Sequence, residues 1–137
     1  MKKNTEDLKK LAKKWVELCD DDMRSVYMEF KETKNFTLVS FLCQQVVERY
    51  MKAFLMIHEN PIEGKLKTHE LLVLLGICNR IDSDFEDWRI ELKVLDKFYI
   101  NTRYPTFWGS IVQEKDAYKC IEYTEQFIKF VKEKLKF

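Results

Sequence analysis

The order of apolar and polar residues along the chain predicts helices. Over residues 5–31, apolar side chains recur every three or four positions, which is the spacing of one face of an α-helix. They are Leu8, Leu11, Trp15, Leu18, Val26 and Phe30. Asn4 or Thr5 can cap the start of this helix, and the acidic Glu6 and Asp7 follow where the helix dipole favours them. The polar residues 31–35 are expected to connect it to the next helix.

A second helix is predicted over residues 36–59, and it is apolar around most of its circumference. Its main apolar face comprises Val39, Cys43, Val46, Val47, Tyr50, Phe54 and Ile57, and Phe41, Leu42, Met51, Leu55 and Met56 widen it. A helix of this kind is central in a domain, or it serves a core and a subunit interface together. Pro61 and Gly64 are expected to end it.

Two further helices follow, each with a predicted cap. Thr68 is expected to cap a short third helix that continues to Ile77. Ser83, with Glu86 three residues later, has the spacing of a capping box and predicts the start of a fourth helix that continues to Leu95.

Residues 98–109 are predicted to be irregular, although five of these twelve residues are aromatic. Such a composition indicates a segment that packs against the rest of the domain. Ser110, with Gln113, is expected to cap a last helix over residues 113–135.

Glycine and proline are scarce: three Gly and two Pro among 137 residues, of which 46% are hydrophobic. A sandwich or barrel would need many more turn-forming residues. We therefore predict one domain, residues 1–137, with an all-α fold: an antiparallel up-and-down helical bundle of four long helices plus one short helix.

The composition also excludes several functional classes. No apolar run approaches the length of a membrane span, and the net charge of +1 gives no general attraction to nucleic acid or anionic lipid. The four cysteines are widely spaced and form no C-x-x-C pair, so we expect buried thiols in a cytoplasmic protein. His58 and His69 belong to no metal-binding motif, and neither a metal nor a cofactor is expected.

Asp22 is the first candidate for chemistry, because it falls on the apolar stripe of the first helix, four residues after Leu18. A carboxylate in such a place loses hydration and needs a partner. It can form an ion pair that ties the bundle together. Alternatively, it is an acid held in a cleft beside a cation, for which Arg103 is the candidate.

The segment 95–105, L-D-K-F-Y-I-N-T-R-Y-P, is the second candidate. Its tyrosines, Asn101 and Arg103 can present planar groups and hydrogen-bond donors to a base or a phosphate. Tyrosine and arginine are also enriched in subunit contacts. The residues alone leave both interpretations open.

Several segments together resemble one family. Residues 41–53, F-L-C-Q-Q-V-V-E-R-Y-M-K-A, resemble the C-Q-Q-A-x-E-K-x-x-K-A helix of HEPN domains (higher eukaryotes and prokaryotes nucleotide-binding). The Trp15 to Asp22 spacing, the Thr68-His69-x-Leu71 motif and the segment 95–105 fall in the family's order. The resemblance covers about residues 8–135.

The resemblance implies an up-and-down bundle that usually forms a homodimer and is often encoded beside a minimal nucleotidyltransferase, in a toxin–antitoxin-like pair. Some members are ribonuclease toxins with the motif R-x(4–6)-H, often written R-x4-H-x-Y. By this resemblance, the motif positions correspond to Lys97, Thr102 and Tyr104. Threonine cannot replace histidine as a base near neutral pH, and no histidine follows His69. The motif is therefore degenerate, as in the non-toxin branch.

Two functional hypotheses follow. The first is a non-catalytic module that binds a nucleotide or serves a nucleotidyltransferase partner, without catalytic residues of its own. Its predicted ligand-binding residues are Asp22, Lys52, Asn101, Arg103 and Tyr104. The alternative is a ribonuclease or toxin component that holds RNA phosphates through Arg103 and Lys97. By its match to the toxin motif, Tyr104 could also accept a nucleotidyl group from a partner.

Overall fold

The computed structural model describes residues 5–58, 68–103 and 112–137, with the side chains of residues 99–103 outside the description. Five α-helices make up most of these residues, and there is no strand among them. The helices are α1 (Thr5–Met28), α2 (Phe36–His58), α3 (Leu71–Ile81), α4 (Arg89–Arg103) and α5 (Glu114–Leu135). A π-helical turn (Glu29–Thr33) follows α1, and a 3₁₀-helix (Ser83–Trp88) precedes α4. The predicted all-α bundle is confirmed.

Helix α2 lies at the centre and packs against each of the other four α-helices. Because it is apolar around most of its circumference, it can contribute to contacts on every side. Its buried residues are Val39, Ser40, Cys43, Gln44, Val46, Val47, Glu48, Tyr50, Met51, Lys52, Ala53, Phe54, Leu55 and Met56.

Side-chain contacts define the directions of the helices. The Tyr27 hydroxyl donates to Glu125 at 2.5 Å, while Lys132 lies 4.0 Å from Asp20, so α1 and α5 are antiparallel. The short connection after the π-helical turn also makes α1 antiparallel to α2. Helix α3 instead runs in the same direction as α2, since the residues just before α3 contact the first half of α2 and its later residue Cys78 lies 3.9 Å from the Met51 carbonyl.

The buried face of α1 differs from the predicted one. The core residues are Leu8, Ala12, Val16, Cys19, Met23 and Val26. Leu11 and Trp15 are only partly buried, and Leu18 is 53% exposed. The predicted stripe is only partly the buried face, because α1 has two adjacent apolar stripes, and the one with small residues, Ala12 and Cys19, packs against α2. Asp22 therefore lies on the flank of α1.

Two of the predicted helix starts also differ. The cap before the 3₁₀-helix is Asp82, whose carboxylate accepts the Asp84 N–H at 3.0 Å, so the predicted cap at Ser83 is off by one residue. Helix α5 begins after Gln113, which forms a capping box with Asp116. The predicted cap Ser110 lies outside the described residues.

Helix α4 is longer than the sequence pattern predicted. Residues 98–103 were expected to be irregular, but they continue the helix to Arg103. Proline disfavours helical backbone in the residue before it, so Pro105 permits a helix up to this point and opposes its continuation through Tyr104. Residues 104–109 lie outside the described part.

An aromatic cluster joins α2, the 3₁₀-helix and α5. The Phe85 ring lies 4.7 Å from Phe54 and 5.0 Å from Phe130, measured between ring centroids. Trp88 lies 5.3 Å from Phe127 in an edge-to-face arrangement. Phe85 is fully buried at the centre of the cluster and therefore holds the 3₁₀-helix to the bundle.

All four cysteines are buried, as expected, and none of them forms a disulfide. Burial raises the pKa of both Cys19 and Cys43 to about 12, because the thiolate would lose its hydration. The raised pKa keeps both groups in the thiol form near neutral pH, where they pack as core residues. Within the described helices, no segment combines the length and the apolar character that crossing a membrane requires.

We expect Phe85→Ala to lower the free energy of unfolding by about 3–5 kcal/mol, because it removes the ring that links three elements and leaves a cavity. Urea denaturation followed by circular dichroism measures this. Ile90→Ala is the control, since Ile90 is 73% exposed, and it should change stability by less than about 0.5 kcal/mol. Equal effects of the two substitutions would contradict the assigned core.

Candidate functional site

A stripe of polar side chains crosses the otherwise apolar helix α2. Gln44, Glu48 and Lys52 are spaced by four residues, which places them on one side of the helix. All three are buried, with the Glu48 and Lys52 side chains only 6% exposed. Buried charges require partners, because each has lost the stabilisation of water.

Glu48 has two such partners. The Lys52 ammonium lies 3.0 Å from Oε2 of Glu48. On the other side, Nδ1 of His69 lies 3.1 Å from Oε1 and 3.2 Å from Oε2 of the same carboxylate. Because an ionised carboxylate only accepts hydrogen bonds, this arrangement favours an imidazole that carries its proton on Nδ1.

His69 is held at its backbone as well as at its ring. Nε2 of Gln44 donates to the His69 carbonyl at 2.8 Å, and Gln45 donates to Oε1 of Gln44 at the same distance. The His69 side chain is nevertheless 57% exposed. No partner of its Nε2 atom occurs in the described part of the chain, so the imidazole is held at Nδ1 and its second nitrogen has no contact among these residues.

Asp96 connects this group to α4. Its carboxylate accepts the N–H groups of Leu71 at 3.1 Å and Leu72 at 3.3 Å, and thus caps α3 from another helix. Thr68, the predicted cap, instead accepts the Glu70 N–H at 3.2 Å in the turn before α3. Burial raises the pKa of Asp96, and the two N–H groups oppose that rise by stabilising the carboxylate. The start of α3 is therefore fixed to both α2 and α4.

The candidate residues of the segment 95–105 fall within and beyond α4. Lys97 is exposed on this helix, one residue after Asp96. Asn101, Thr102 and Arg103 belong to the last helical turn, but their side chains lie outside the description, as does Tyr104. Their ligand-binding roles stay predictions.

Asp22 has a partner in the structure. Its carboxylate pairs with the Arg49 guanidinium of α2, and the two side chains are 27% and 35% exposed. This contact joins α1 to α2, as the ion-pair interpretation of Asp22 predicts, although the partner is Arg49 and neither side chain is fully buried. Lys52, another candidate, is held by Glu48. Binding of a ligand by either residue stays a prediction.

Sequence reasoning did not select Glu48, His69, Gln44 or Asp96. For Gln44 and Glu48 the sequence did contain a signal. Together with Lys52 they are polar residues at a four-residue spacing on a largely apolar helix. The second histidine, His58, stacks on Phe54 at 4.4 Å and belongs to the other half of α2. Among the described residues, no group of three or more histidine, cysteine or acidic side chains could hold a metal ion.

We expect Glu48→Ala to destabilise the domain by about 3–5 kcal/mol, since it leaves the buried Lys52 ammonium without a partner. The double variant Glu48→Ala/Lys52→Met should be more stable than Glu48→Ala, because the unpaired charge is gone. Urea denaturation of the single and double variants measures both effects.

The matched control is Glu86→Ala, which breaks the Glu86–Arg89 pair on the surface and should scarcely change stability. If Glu48→Ala has as little effect as Glu86→Ala, the Glu48 pair does not stabilise the fold.

A comparison with protein-family models identifies the family of this chain. The sequence matches the family model of the HEPN domain over residues 6–134, which is nearly its whole length. A search of curated proteins gives no match. The matched region includes the polar stripe that holds His69 and all but the first residue of α1 and the last residue of α5 among the five helices. The resemblance inferred from the sequence is thereby confirmed, and the chain belongs to the HEPN domain family.

Proposed function

We propose that this HEPN domain is a non-catalytic binding module that holds a nucleotide, or presents one to a minimal nucleotidyltransferase partner. The binding surface is formed by the residues before α3 and the second half of α4. The observation that carries this proposal is the imidazole of His69, which Glu48 holds at Nδ1 while the side chain is 57% exposed.

A fixed and exposed imidazole is suited to contacting a phosphate or a base. Its position is determined before a ligand arrives, because Glu48 holds the ring and Gln44 holds the backbone. A side chain ordered in advance loses little conformational freedom on binding. In its protonated form, Nε2 can donate a charge-assisted hydrogen bond to a phosphate oxygen.

The position of the second half of α4 also supports a binding surface next to His69. Helix α3 begins at Leu71, two residues after His69, and Asp96 holds this start against α4. Arg103 follows Asp96 by seven residues, which is two helical turns and about 10 Å along the same face of α4. A nucleotide is long enough to span this separation, so His69 and the segment containing Asn101 and Arg103 can serve one ligand.

The non-catalytic role is supported by the distribution of histidine. The chain has only His58 and His69, and neither lies on α4, where Lys97 and Thr102 occupy the positions of the ribonuclease motif. Without an imidazole on α4, the family's usual route to RNA cleavage lacks its acid–base group. A partner nucleotidyltransferase would supply the chemistry that this domain lacks.

Binding to the folded state should raise the melting temperature. We expect a ribonucleoside mono- or triphosphate to stabilise the domain by several degrees in a thermal-shift panel. His69→Gln should lose most of this shift, whereas the matched control His58→Gln should keep it. The absence of a shift with every nucleotide would contradict the proposal.

Nuclear magnetic resonance can locate the ligand, because the chain has two histidines and the two variants assign their ring signals. We expect the bound nucleotide to move the Hε1 resonance of His69 and to leave that of His58 in place. Inorganic triphosphate added alone tests whether the phosphates suffice. If a nucleotide that stabilises the domain moves only the His58 signal, the binding surface lies at the other half of α2.

A further inference from the structure

A cavity of about 550 Å³ lies at the end of the bundle that is farther from His69. It is bordered by the start of α1 and by the ends of α2, α3 and α5. Binding pockets for small molecules commonly have volumes of roughly 300–1,000 Å³. The cavity is therefore large enough for a small organic ligand.

Part of the cavity lining is apolar. It comprises Phe54, Ile57, Leu135 and Ile81, of which Ile81 is 37% exposed. The His58 ring also lines the cavity and packs on Phe54, with 4.4 Å between the ring centroids. A ligand with an apolar body would remove this surface from water, which favours binding.

The charged side chains of the lining balance one another. The acidic ones are Glu6, Asp82 and Glu133, and the basic ones are Lys9, Lys134 and Lys136. Lys134 is already engaged, because its ammonium lies 2.8 Å from the Asp82 carboxylate and 2.6 Å from that of Asp84. Its hydrogen bond to Asp82 lowers the pKa of that carboxyl, which therefore stays ionised. In the part of the chain that the structure describes, Glu6 and Glu133 form no ion pair, and neither do Lys9 and Lys136.

The helix ends determine the sign of the electric field in the cavity. The C-terminus of a helix carries roughly half a negative charge, and the N-terminus carries the opposite partial charge. Three C-termini and one N-terminus border the cavity, so the backbone contributes about one negative charge. Because the side chains balance, this contribution favours a cation.

We propose that the cavity binds an organic cation, namely a primary amine carried on an apolar or aromatic body. The ammonium would lie near the C-termini of α3 and α5, where Glu133 and backbone carbonyls can accept its three hydrogen bonds. The apolar body would contact Phe54, Ile57 and Ile81. The exposed Lys9 and Lys136 can extend their ammonium groups into water, away from the bound cation.

This site differs from the proposed nucleotide-binding surface in place and in charge. His58 follows Glu48, the partner of His69, by ten residues, which is about 15 Å along α2. The field that favours an amine opposes the phosphates of a nucleotide. The proposal therefore goes beyond the proposed function and does not depend on it.

Titration of the full chain with 2-phenylethylamine at constant pH tests the site, with nuclear magnetic resonance of the histidine rings as the readout. We expect a saturable shift of the Hε1 resonance of His58 and none at His69. The neutral 2-phenylethanol should bind about tenfold more weakly, because it lacks the charge that the helix ends favour, and 3-phenylpropionate should bind more weakly still. Ethylamine, which lacks the apolar body, should give no saturable shift over the same concentrations.

Two substitutions test the assigned residues. Ile81→Lys should weaken binding of the amine about tenfold or more, since it places a like charge in the cavity. Its matched control is Ile90→Lys at a position that is 73% exposed and outside the cavity, and this variant should bind normally. Glu133→Gln should weaken binding about threefold. Glu122→Gln changes the net charge equally outside the cavity and should have no effect.

Circular dichroism confirms that each variant is folded. A His58 resonance that does not move with 2-phenylethylamine would overturn the proposal. Equal binding of 3-phenylpropionate would do the same, as would undiminished binding of the amine to both Ile81→Lys and Glu133→Gln. None of these results bears on the proposed function, which the nucleotide titration at His69 tests separately.

Discussion

The contacts of the Glu48 carboxylate with Lys52 and His69 are the interactions on which the candidate site depends. The carboxylate is buried in the central helix, where an isolated charge would be strongly unfavourable. Lys52 balances it from one turn further along α2, and His69 approaches it from the segment before α3. The ion pair within α2 makes the buried carboxylate tolerable, and the carboxylate in turn determines where the imidazole lies.

The consequences extend from His69 to two other helices. Gln44, one turn before Glu48, donates to the His69 carbonyl. The polar stripe of α2 therefore determines where along α2 the helix α3 begins. Asp96 of α4 then caps α3 at Leu71 and Leu72. Three helices therefore meet around one small polar group, and the second half of α4 is positioned relative to the exposed imidazole. The opposite half of α2 has another character, since aromatic packing around Phe85 holds it.

Local patterns predicted the elements well and the contacts between them poorly. The apolar spacing predicted the bounds of α2 to within one residue, because the extent of a helix is encoded in neighbouring residues. The spacing on α1 could not distinguish two adjacent apolar stripes, since only the small Ala12 and Cys19 reveal which one approaches α2. The residue that caps α3 could not be predicted from neighbouring positions, because Asp96 lies 25 residues after Leu71. Likewise, Glu48 and His69 are 21 residues apart, and only the fold brings them together.

The tautomer of His69 tests the account most directly. In protein labelled with ¹⁵N at the histidine rings, the two ring nitrogens can be distinguished at a pH where the imidazole is neutral. With Glu48 accepting a hydrogen bond, we predict that the proton of neutral His69 resides on Nδ1 and that Glu48→Ala abolishes this preference, with His58 as the internal reference. A neutral His69 that carries its proton on Nε2 would contradict the account, because Nδ1 would then have no hydrogen to donate to the carboxylate.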